Sequence, residues 1–367
     1  MVLNFLTQQK TVCVIDLENG NYPIKLGGDD VLIELNQFIG DHYSSSSIFI
    51  LCDSNTVEHC LSKLDWLDLE NIKNAEVLEI EPGEASKSIE VYYQSVESLL
   101  DLGANRKSVL INLGGGVVSD LGGFIASTFK RGIDFINVPT SLLAMVDAGI
   151  GGKTGINAGG AKNQIGTFSE PAAIFISDVF LETLPKKEIN SGLGEMVKHL
   201  LISDKHALSK LDELTENVKI EDIANSISVK LNFVKRDFKE SGSRKALNYG
   251  HTFGHAIESF LLNKGISITH GESVLIGILI ENQLSVQLGN MSELEKSSIE
   301  NWMHTKFDLK SFFKQIETEE IISLLQFDKK NKDHSVSFSL VGPIGKCSID
   351  VYPDKSNIES SLSIFCN

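Results

Sequence analysis

The sequence lacks paired cysteines, an excess of positive charge and long apolar runs. Its five cysteines are scattered without a CxxC pair, which favours reduced thiols over a disulfide framework or a cysteine-bound zinc. The net charge of −16 argues against a general binder of phosphate backbones, so no nucleic-acid partner is expected. No stretch approaches the ~18 continuous apolar residues of a membrane span. Because no basic start precedes an apolar run at the N-terminus, we expect a cytoplasmic protein.

Proline is missing from a long internal segment, since all seven prolines lie outside residues 186–342. Proline costs a helix interior ~3 kcal/mol, so this absence favours a helical region. Helix-period patterns occupy residues 189–203, 220–236, 251–262 and 272–288, followed by strand-like runs at 335–341 and 347–351. Earlier in the chain, β-branched runs at 11–17, 47–52, 76–80, 109–113, 135–138 and 173–177 alternate with amphipathic stretches such as 86–102.

Alternating strands and helices predict a mainly parallel sheet covered by helices. At 367 residues the chain is long enough for two domains. We therefore predict a Rossmann-like α/β domain over residues 1–178 and a mostly α-helical domain over residues 179–367. The boundary is expected between Pro171 and Pro185.

Two glycine clusters stand out. In the first, an apolar strand enters Gly114 to Gly116 and a helical pattern follows. Such a turn offers unpaired N–H groups and a helix dipole to an anion, although the spacing is not a strict GxGxxG. The second cluster, residues 146–166, fails the Walker A pattern because Asp147 stands where a glycine is required. We expect there a long, flexible functional loop that carries Asp147, Lys153, Lys162 and Asn163.

The histidines suggest a metal site. His251 and His255 are four residues apart, so both imidazoles lie on one face of the predicted helix. His270 begins another helical pattern, and Glu195 with His199 forms a second pair at the same spacing. Catalytic zinc uses three nitrogen or oxygen ligands, which suits two histidines and one glutamate. Spacing alone leaves open which of these residues bind.

The motifs together resemble 3-dehydroquinate synthase, within the sugar phosphate cyclases. The resemblance extends from about residue 50 to 345, and its stretches occur in the same order. They are EPGEASKS, GGGVVSDLGGFIASTFKRG, VPTSLLAMVDAGIGGKTGIN, GLGEMVKH, RKALNYGHTFGHAIE, HGESVLIG and FDKKNK.

The resemblance implies the site residues. The metal, zinc or alternatively cobalt, would be held by Glu195, His251 and His270. The NAD-binding residues would be Asp53, Asn55, Glu84, Lys87, Gly115, Gly116, Val117, Asp120, Thr140, Ser141, Lys162 and Thr183. The catalytic and substrate-binding residues would be Arg131, Asp147, Lys153, Asn163, Lys198, Lys230, Arg244, Asn248, His255 and Lys329, with Lys330 as the alternative to Lys329. Arg131 would reach the phosphate of a neighbouring subunit, which implies a homodimer.

The family's reaction is formally a lyase reaction of the shikimate pathway, which leads to the aromatic amino acids. It converts 3-deoxy-D-arabino-heptulosonate 7-phosphate to 3-dehydroquinate and phosphate. Transient oxidation by NAD acidifies a neighbouring C–H, phosphate leaves, the hydride returns, and an aldol-type step closes the ring. A dense set of cations suits a substrate that carries both a carboxylate and a phosphate.

Three other functions are alternatives to this one. A metal- and NAD-dependent polyol dehydrogenase would not need the dense cation set. Another sugar phosphate cyclase would share most of the site but take a different sugar phosphate. A ligand-sensing protein without activity would be expected to lack some of the ligands or cations, and both sets are intact in the sequence.

Overall fold

In the computed structural model, the described residues are 14–18, 21–67, 69–159, 161–327 and 336–366. The strands are β1 (Ile15–Glu18), β2 (Pro23–Gly27), β3 (Ile48–Asp53), β4 (Glu76–Ile80), β5 (Val109–Gly114), β6 (Asp134–Pro139), β7 (Lys153–Ala158), β8 (Ala161–Phe168), β9 (Ala173–Ser177), β10 (Phe338–Val341) and β11 (Cys347–Val351). The helices of the first half are α1 (Asp29–Tyr43), α2 (Ser54–Thr56), α3 (Ser62–Trp66), α4 (Ile89–Asp101) and α5 (Gly116–Thr128).

In the described part of the second half, the regular elements are helices apart from the β10–β11 hairpin. Its helices are α6 (Lys186–Ser203), α7 (Ala207–Leu211), α8 (Ile220–Arg236), α9 (His251–Asn263), α10 (His270–Gln287), α11 (Glu293–Lys306), α12 (Lys310–Phe313), α13 (Thr318–Phe327) and α14 (Lys355–Ser363). No helix in the described ranges has both the length and the apolar composition of a membrane span.

Among the described strands, seven form one sheet in the order β1-β2-β9-β6-β5-β3-β4. Strand β1 pairs antiparallel with β2, and the other neighbours in this sheet are parallel. The mainly parallel sheet predicted from sequence is therefore confirmed, as are the strands predicted near residues 48, 76, 109, 135 and 173. The strand predicted at 11–17 overlaps β1 from residue 15, and residues 11–13 lie outside the described residues.

Alternating side chains cover both faces of the sheet. In β3, Ile48 and Ile50 enter a large apolar core, whereas Phe49 and Leu51 enter a smaller one beneath α4 and α5. The larger core continues from the sheet into the helical half, where it includes Val274 of α10. Helix α8 contacts strands β1 and β2, and both α6 and α8 contact the π-helical turn Ala144–Ala148 that follows β6.

The prediction of a flexible loop over residues 146–166 is wrong. A π-helical turn spans Ala144–Ala148, and β7 and β8 then form an antiparallel hairpin against α5. A Cβ atom added to Gly155 would lie 2.6 Å from the Ile165 carbonyl oxygen. The glycines here therefore allow close approach of two strands, a role that composition does not distinguish from flexibility.

Candidate active site

Three helices meet at glycines in the helical half. A Cβ atom added to Gly194 of α6 would lie 2.6 Å from the Gly271 carbonyl oxygen of α10. One added to Gly254 of α9 would lie 2.9 Å from the Ser273 carbonyl oxygen. Side chains at these positions would separate the helices, because backbone cannot yield as a flexible side chain does. Close packing therefore brings the residues beside these glycines within reach of one another.

Glu195, His251 and His270 converge at this crossing. The buried Glu195 Oε1 lies 3.4 Å from His251 Nε2 and 3.2 Å from His270 Nε2. Burial lowers the pKa of His251. Burial also lowers the pKa of His270, but the carboxylates of Glu195 and Glu258 outweigh it and raise that pKa to about 9. Two imidazole nitrogens and one carboxylate oxygen match the ligand set of a catalytic zinc.

His255 extends this cluster toward solvent. Its ring lies 5.0 Å from that of His251 and 5.8 Å from that of His270, measured between centroids. The side chain is exposed, in contrast to the buried Glu195. Ligand atoms of the three histidines lie within 4.8 Å of one another. The three histidines are therefore close enough to share one metal ion, and Glu195 lies beside two of them.

A second cluster contains Asp147, Glu195 and His199, whose ligand atoms also lie within 4.8 Å of one another. Two lysine ammonium groups already form ion pairs with the carboxylates of this cluster. Lys230 Nζ lies 2.8 Å from Asp147 Oδ1, and Lys198 pairs with Glu195. The ammonium groups hold the pKa of Asp147 below its usual value in spite of burial. We interpret this second cluster as a charge network for the lysines and not as a metal site.

His199 is a neutral member of that network. Its Nδ1 lies 2.7 Å from the Ser226 hydroxyl, and burial, together with Lys198, lowers its pKa to about 3. Its Nε2 is buried and lacks a hydrogen-bond partner. Asp147 Oδ1 lies 3.8 Å from Nε2 and favours the charged ring, but burial and the two ammonium groups outweigh it, so the neutral ring is the form that fits.

Arg244 is a further buried cation that acts on Lys230. The buried Arg244 donates to the carbonyl oxygens of Phe238 (2.6 Å) and Gly151 (3.0 Å). Burial lowers the pKa of Lys230 and of Arg244. The cation set of Lys198, Lys230 and Arg244 is thus held by α6, α8 and the loop after α8.

Glu240 is a site residue that sequence reasoning missed. Its carboxylate pairs with Lys153 of β7 and accepts a 2.7 Å hydrogen bond from Asn248 Nδ2. It lies in the loop after α8, in the left-handed conformation with φ of 58°. An acidic residue four positions before Arg244 was the available signal, but nothing local distinguishes it from a solvated surface acid.

Glu281 of α10 was also missed. Its buried carboxylate accepts hydrogen bonds from the backbone N–H groups of Gly250 (2.6 Å) and Phe253 (3.4 Å). Burial raises its pKa to about 8. Since α9 has no side-chain cap of its own, Glu281 supplies one and fixes the start of the helix that carries His251.

The predicted cofactor side lies at the end of β5. Helix α5 begins at Gly116 after the N-cap Gly115, and no side chain caps it. A Cβ atom on Gly115 would lie 3.2 Å from Ser141 Oγ, and one on Gly116 would lie 3.1 Å from the Ala148 Cβ. Larger residues at these two positions would crowd neighbouring side chains, and the uncapped N–H groups suit a phosphate group.

A charged cluster stands beside this turn. The buried Lys87 donates to Asp120 Oδ2 (2.7 Å) and to Asn163 Oδ1 (2.6 Å). Burial raises the pKa of Asp120, and Lys87 opposes that effect. Asn157 of the hairpin donates to Glu84 (2.8 Å). The hairpin therefore contacts the predicted cofactor residues Glu84 and Lys87, and Asn163, predicted for the substrate pocket, lies beside Lys87.

The remaining predicted residues are dispersed. Asp53 caps α2 through Thr56, Thr140 is buried, and Val117 is partly buried. Exposed positions are occupied by Asn55, Lys162, Thr183 and Arg131, the last with φ of 75°. Lys329 and Lys330 lie outside the described residues.

Comparisons with known proteins identify the family. Residues 77–191 match the family model described as 3-dehydroquinate synthase N-terminal, and residues 192–331 match the C-terminal one. The chain is 37% identical to the 3-dehydroquinate synthase of Alkaliphilus oremlandii, covering 92% of this chain and 93% of the relative. It is 38% identical to the one from Parabacteroides distasonis, covering 92% and 96%.

Solved structures share the fold. A 2-deoxy-scyllo-inosose synthase, complexed with carbaglucose-6-phosphate, NAD+ and Co2+, superposes with a TM-score of 0.83 at 24% identity, covering 95% of this chain and 99% of the other. The 2-epi-5-epi-valiolone synthase of Streptomyces hygroscopicus subsp. jinggangensis, with NAD+ and Zn2+ bound, gives 0.79 at 22% identity, covering 96% and 99%. At these identities the likeness shows the fold. The family models and the curated relatives show more: this chain belongs to the 3-dehydroquinate synthase family.

Proposed function

We propose that the chain is a 3-dehydroquinate synthase, a lyase that converts 3-deoxy-D-arabino-heptulosonate 7-phosphate to 3-dehydroquinate and phosphate. The observation that supports this function best is the cluster of Glu195, His251 and His270, which lies beside the buried cations Lys198 and Lys230. A polyol dehydrogenase needs the first group and not the second. The curated relatives, which carry the same name over nearly the whole chain, support the same function.

The residues present fit a divalent metal and NAD. Glu195, His251 and His270 would hold the metal, zinc or alternatively cobalt, and the open turn at Gly115 and Gly116 would hold the pyrophosphate of NAD. When bound, the metal supplies Lewis acidity toward a substrate hydroxyl, and NAD supplies a reversible hydride acceptor. The NAD+ with Co2+ or Zn2+ in the two solved cyclases supports this assignment.

The cations would bind the two anionic groups of the substrate. The buried Lys198 and Lys230 pair with Glu195 and Asp147, and Lys153 of the hairpin pairs with Glu240. Asp147 holds both buried ammonium groups in place, because its carboxylate is ionised well below neutral pH. Fixed charges of this kind bind a leaving phosphate without reorganisation during the reaction.

His255 would carry the proton transfers. It is the exposed histidine of the cluster, so its ring is accessible to a bound substrate without any movement of α9. Asn248, positioned by Glu240, would hydrogen-bond a substrate hydroxyl. Orientation of this kind matters because elimination and ring closure require the reacting atoms to stay aligned while the ring opens.

Subunit organisation follows the same proposal. Arg131 is exposed just after α5, and we propose that it reaches the phosphate in the neighbouring subunit of a homodimer. Residues 1–178 and 179–367 would be the two domains, since β9 ends at Ser177 and α6 begins at Lys186. We propose a cytoplasmic location, which the free thiols of Cys52 and Cys60 and of the other described cysteines support.

The test is phosphate release from 3-deoxy-D-arabino-heptulosonate 7-phosphate by protein supplied with NAD+ and Zn2+, while absorbance at 340 nm is followed. We expect phosphate release that requires both additions, with no net NADH. Glu195→Gln should abolish it, and Glu319→Gln, at an exposed position of α13, should not. Folded, metal-loaded protein that releases no phosphate would overturn the proposal, and net NADH from a polyol would indicate a dehydrogenase.

A further inference from the structure

One buried carboxylate connects the two halves of the site. Glu258 lies in α9 and is 5% exposed. Its Oε1 accepts a 2.9 Å hydrogen bond from Lys162 of β8, and its Oε2 lies 3.8 Å from His270 Nδ1. Each oxygen of Glu258 therefore faces a different group, one on the cofactor-side hairpin and one in the metal cluster.

The placement opposite His270 is informative. His270 Nε2 faces Glu195 Oε1 at 3.2 Å, so Nδ1 is the nitrogen left for Glu258. A histidine that binds a metal through one nitrogen usually presents its other N–H to a carboxylate, a carbonyl or water. That partner fixes the tautomer and the ring orientation and makes the histidine a stronger ligand.

The burial of Glu258 also needs a cause. A buried carboxylate is costly unless it is paired and hydrogen-bonded. Lys162 supplies a cation, but its own side chain is 40% exposed and it stands on an exposed edge strand. A surface pair of this kind could form with Glu258 turned outward. Its buried position is explained by the neighbouring His270.

We propose that Glu258 is the positioning residue that orients His270 for metal binding, and that Lys162 modulates this role by competing for the same carboxylate. The inference rests on the proposed function, because it requires the metal site at Glu195, His251 and His270. A cofactor that draws the Lys162 ammonium away would leave the Glu258 charge to His270. Bound NAD+ would then increase metal affinity, and bound metal would increase NAD+ affinity by the same factor.

The experiment measures metal affinity instead of turnover. Metal-free wild type, Glu258→Gln and Glu258→Asp are titrated with Zn²⁺ against a chromophoric chelator, with and without NAD+, and the visible spectrum of each Co²⁺ form is recorded. Glu317→Gln is the matched control, because it breaks an exposed ion pair with Lys264 far from the cluster. Unfolding of each metal-free protein by heat reports the stability of the scaffold.

We expect Glu258→Gln to weaken zinc binding about 10–100-fold, to change the Co²⁺ spectrum and to remove the NAD+ effect. Glu258→Asp, which keeps the charge, should recover part of the affinity. In wild type and Glu317→Gln, NAD+ should tighten zinc binding about fivefold or more. A Glu258→Gln protein with wild-type zinc affinity and Co²⁺ spectrum would overturn the proposal.

Two other outcomes are also decisive. If Glu258→Gln does not fold, Glu258→Asp takes its place, and wild-type affinity with an unchanged NAD+ effect in Lys162→Met would refute the modulating role. If wild type and Glu317→Gln bind no zinc at this site, the proposed metal site fails and the inference fails with it. That result differs from the specific failure of Glu258, in which wild type binds zinc normally.

Discussion

Acidification should destabilise the folded protein through His199. Its imidazole is 1% exposed, and its Nε2 has no hydrogen-bond partner. A proton on the ring would place a third positive charge beside Lys198 and Lys230. Burial and Lys198 lower the pKa of His199 to about 3, compared with 6.5 for an unperturbed histidine. The perturbation to apply is therefore a pH decrease through the range in which only the unfolded chain binds this proton.

The sign and size follow from linkage. The folded pKa of His199 is depressed, so its contribution is complete above pH 6.5 and is lost as the pH falls toward 3. Between pH 7.5 and pH 5.5 the His199 ring gains most of one proton in the unfolded chain and none in the folded protein. The loss in unfolding free energy over that interval is about 1.4 kcal/mol. The range stays above the sequence pI of about 5.0.

The assay is urea unfolding of the metal-free protein at several pH values in that range. We expect His199→Gln to be less sensitive to acid than wild type by about 1.4 kcal/mol. His206→Gln, at an exposed position, is the matched control and should keep the wild-type dependence. Equal pH dependence in wild type and His199→Gln would refute the reasoning, because another group would then bind the proton.

Three further predictions concern packing and positioning. Gly194→Ala should lower the unfolding free energy by about 1–3 kcal/mol and weaken zinc binding, because the new methyl group meets the Gly271 backbone; urea unfolding and a zinc titration measure both effects. Glu240→Gln should raise KM about tenfold with a smaller change in kcat, because Lys153 loses its partner; steady-state kinetics measure this. Glu281→Met should cost about 1–3 kcal/mol of unfolding free energy, because two backbone N–H groups of α9 lose their acceptor.

Matched controls separate these effects from general damage. Gly28→Ala adds the same methyl group where the nearest atom is 3.8 Å away, so it should leave zinc binding unchanged and cost at most about 1 kcal/mol, as alanine at the N-cap of α1 does. If Gly194→Ala behaves like Gly28→Ala, α6 and α10 do not need their close contact. A fall in kcat without a rise in KM would contradict the binding role of Glu240. Wild-type stability of Glu281→Met would mean that water replaces the cap.

The sheet and the main helices could be predicted because their signals are local. The run 109–113 is apolar at every position except Asn112, as a strand buried on both faces requires. The helices of the second half could be predicted because the absence of proline and the helical period of apolar residues are also local signals. The β7–β8 hairpin could not be predicted. Gly155 and Gly166 are glycines because the two strands approach each other closely at these positions, and the sequence alone does not distinguish this from a flexible backbone.

The acids of the site escaped prediction for a different reason. Glu240, Glu258 and Glu281 each act on a residue from another element, and no spacing along the chain shows that. An unpaired glutamate in sequence looks like a solvated surface residue. The family resemblance implies metal ligands and cations, which are expected to contact metal or substrate. These three acids instead hold other residues in place. Three-dimensional contacts were needed to find them.

Charge explains how so acidic a protein presents an anion site. Lys198, Lys230 and Arg244 are almost wholly buried, and Asp147 and Glu195 oppose them with one charge fewer. A divalent metal ion would raise that small excess to about three positive charges. A phosphate of about two negative charges and a carboxylate of one would balance it. Before metal and substrate bind, the two buried acids thus leave an excess of about one positive charge among these five groups, so that the ammonium groups stay charged in spite of burial.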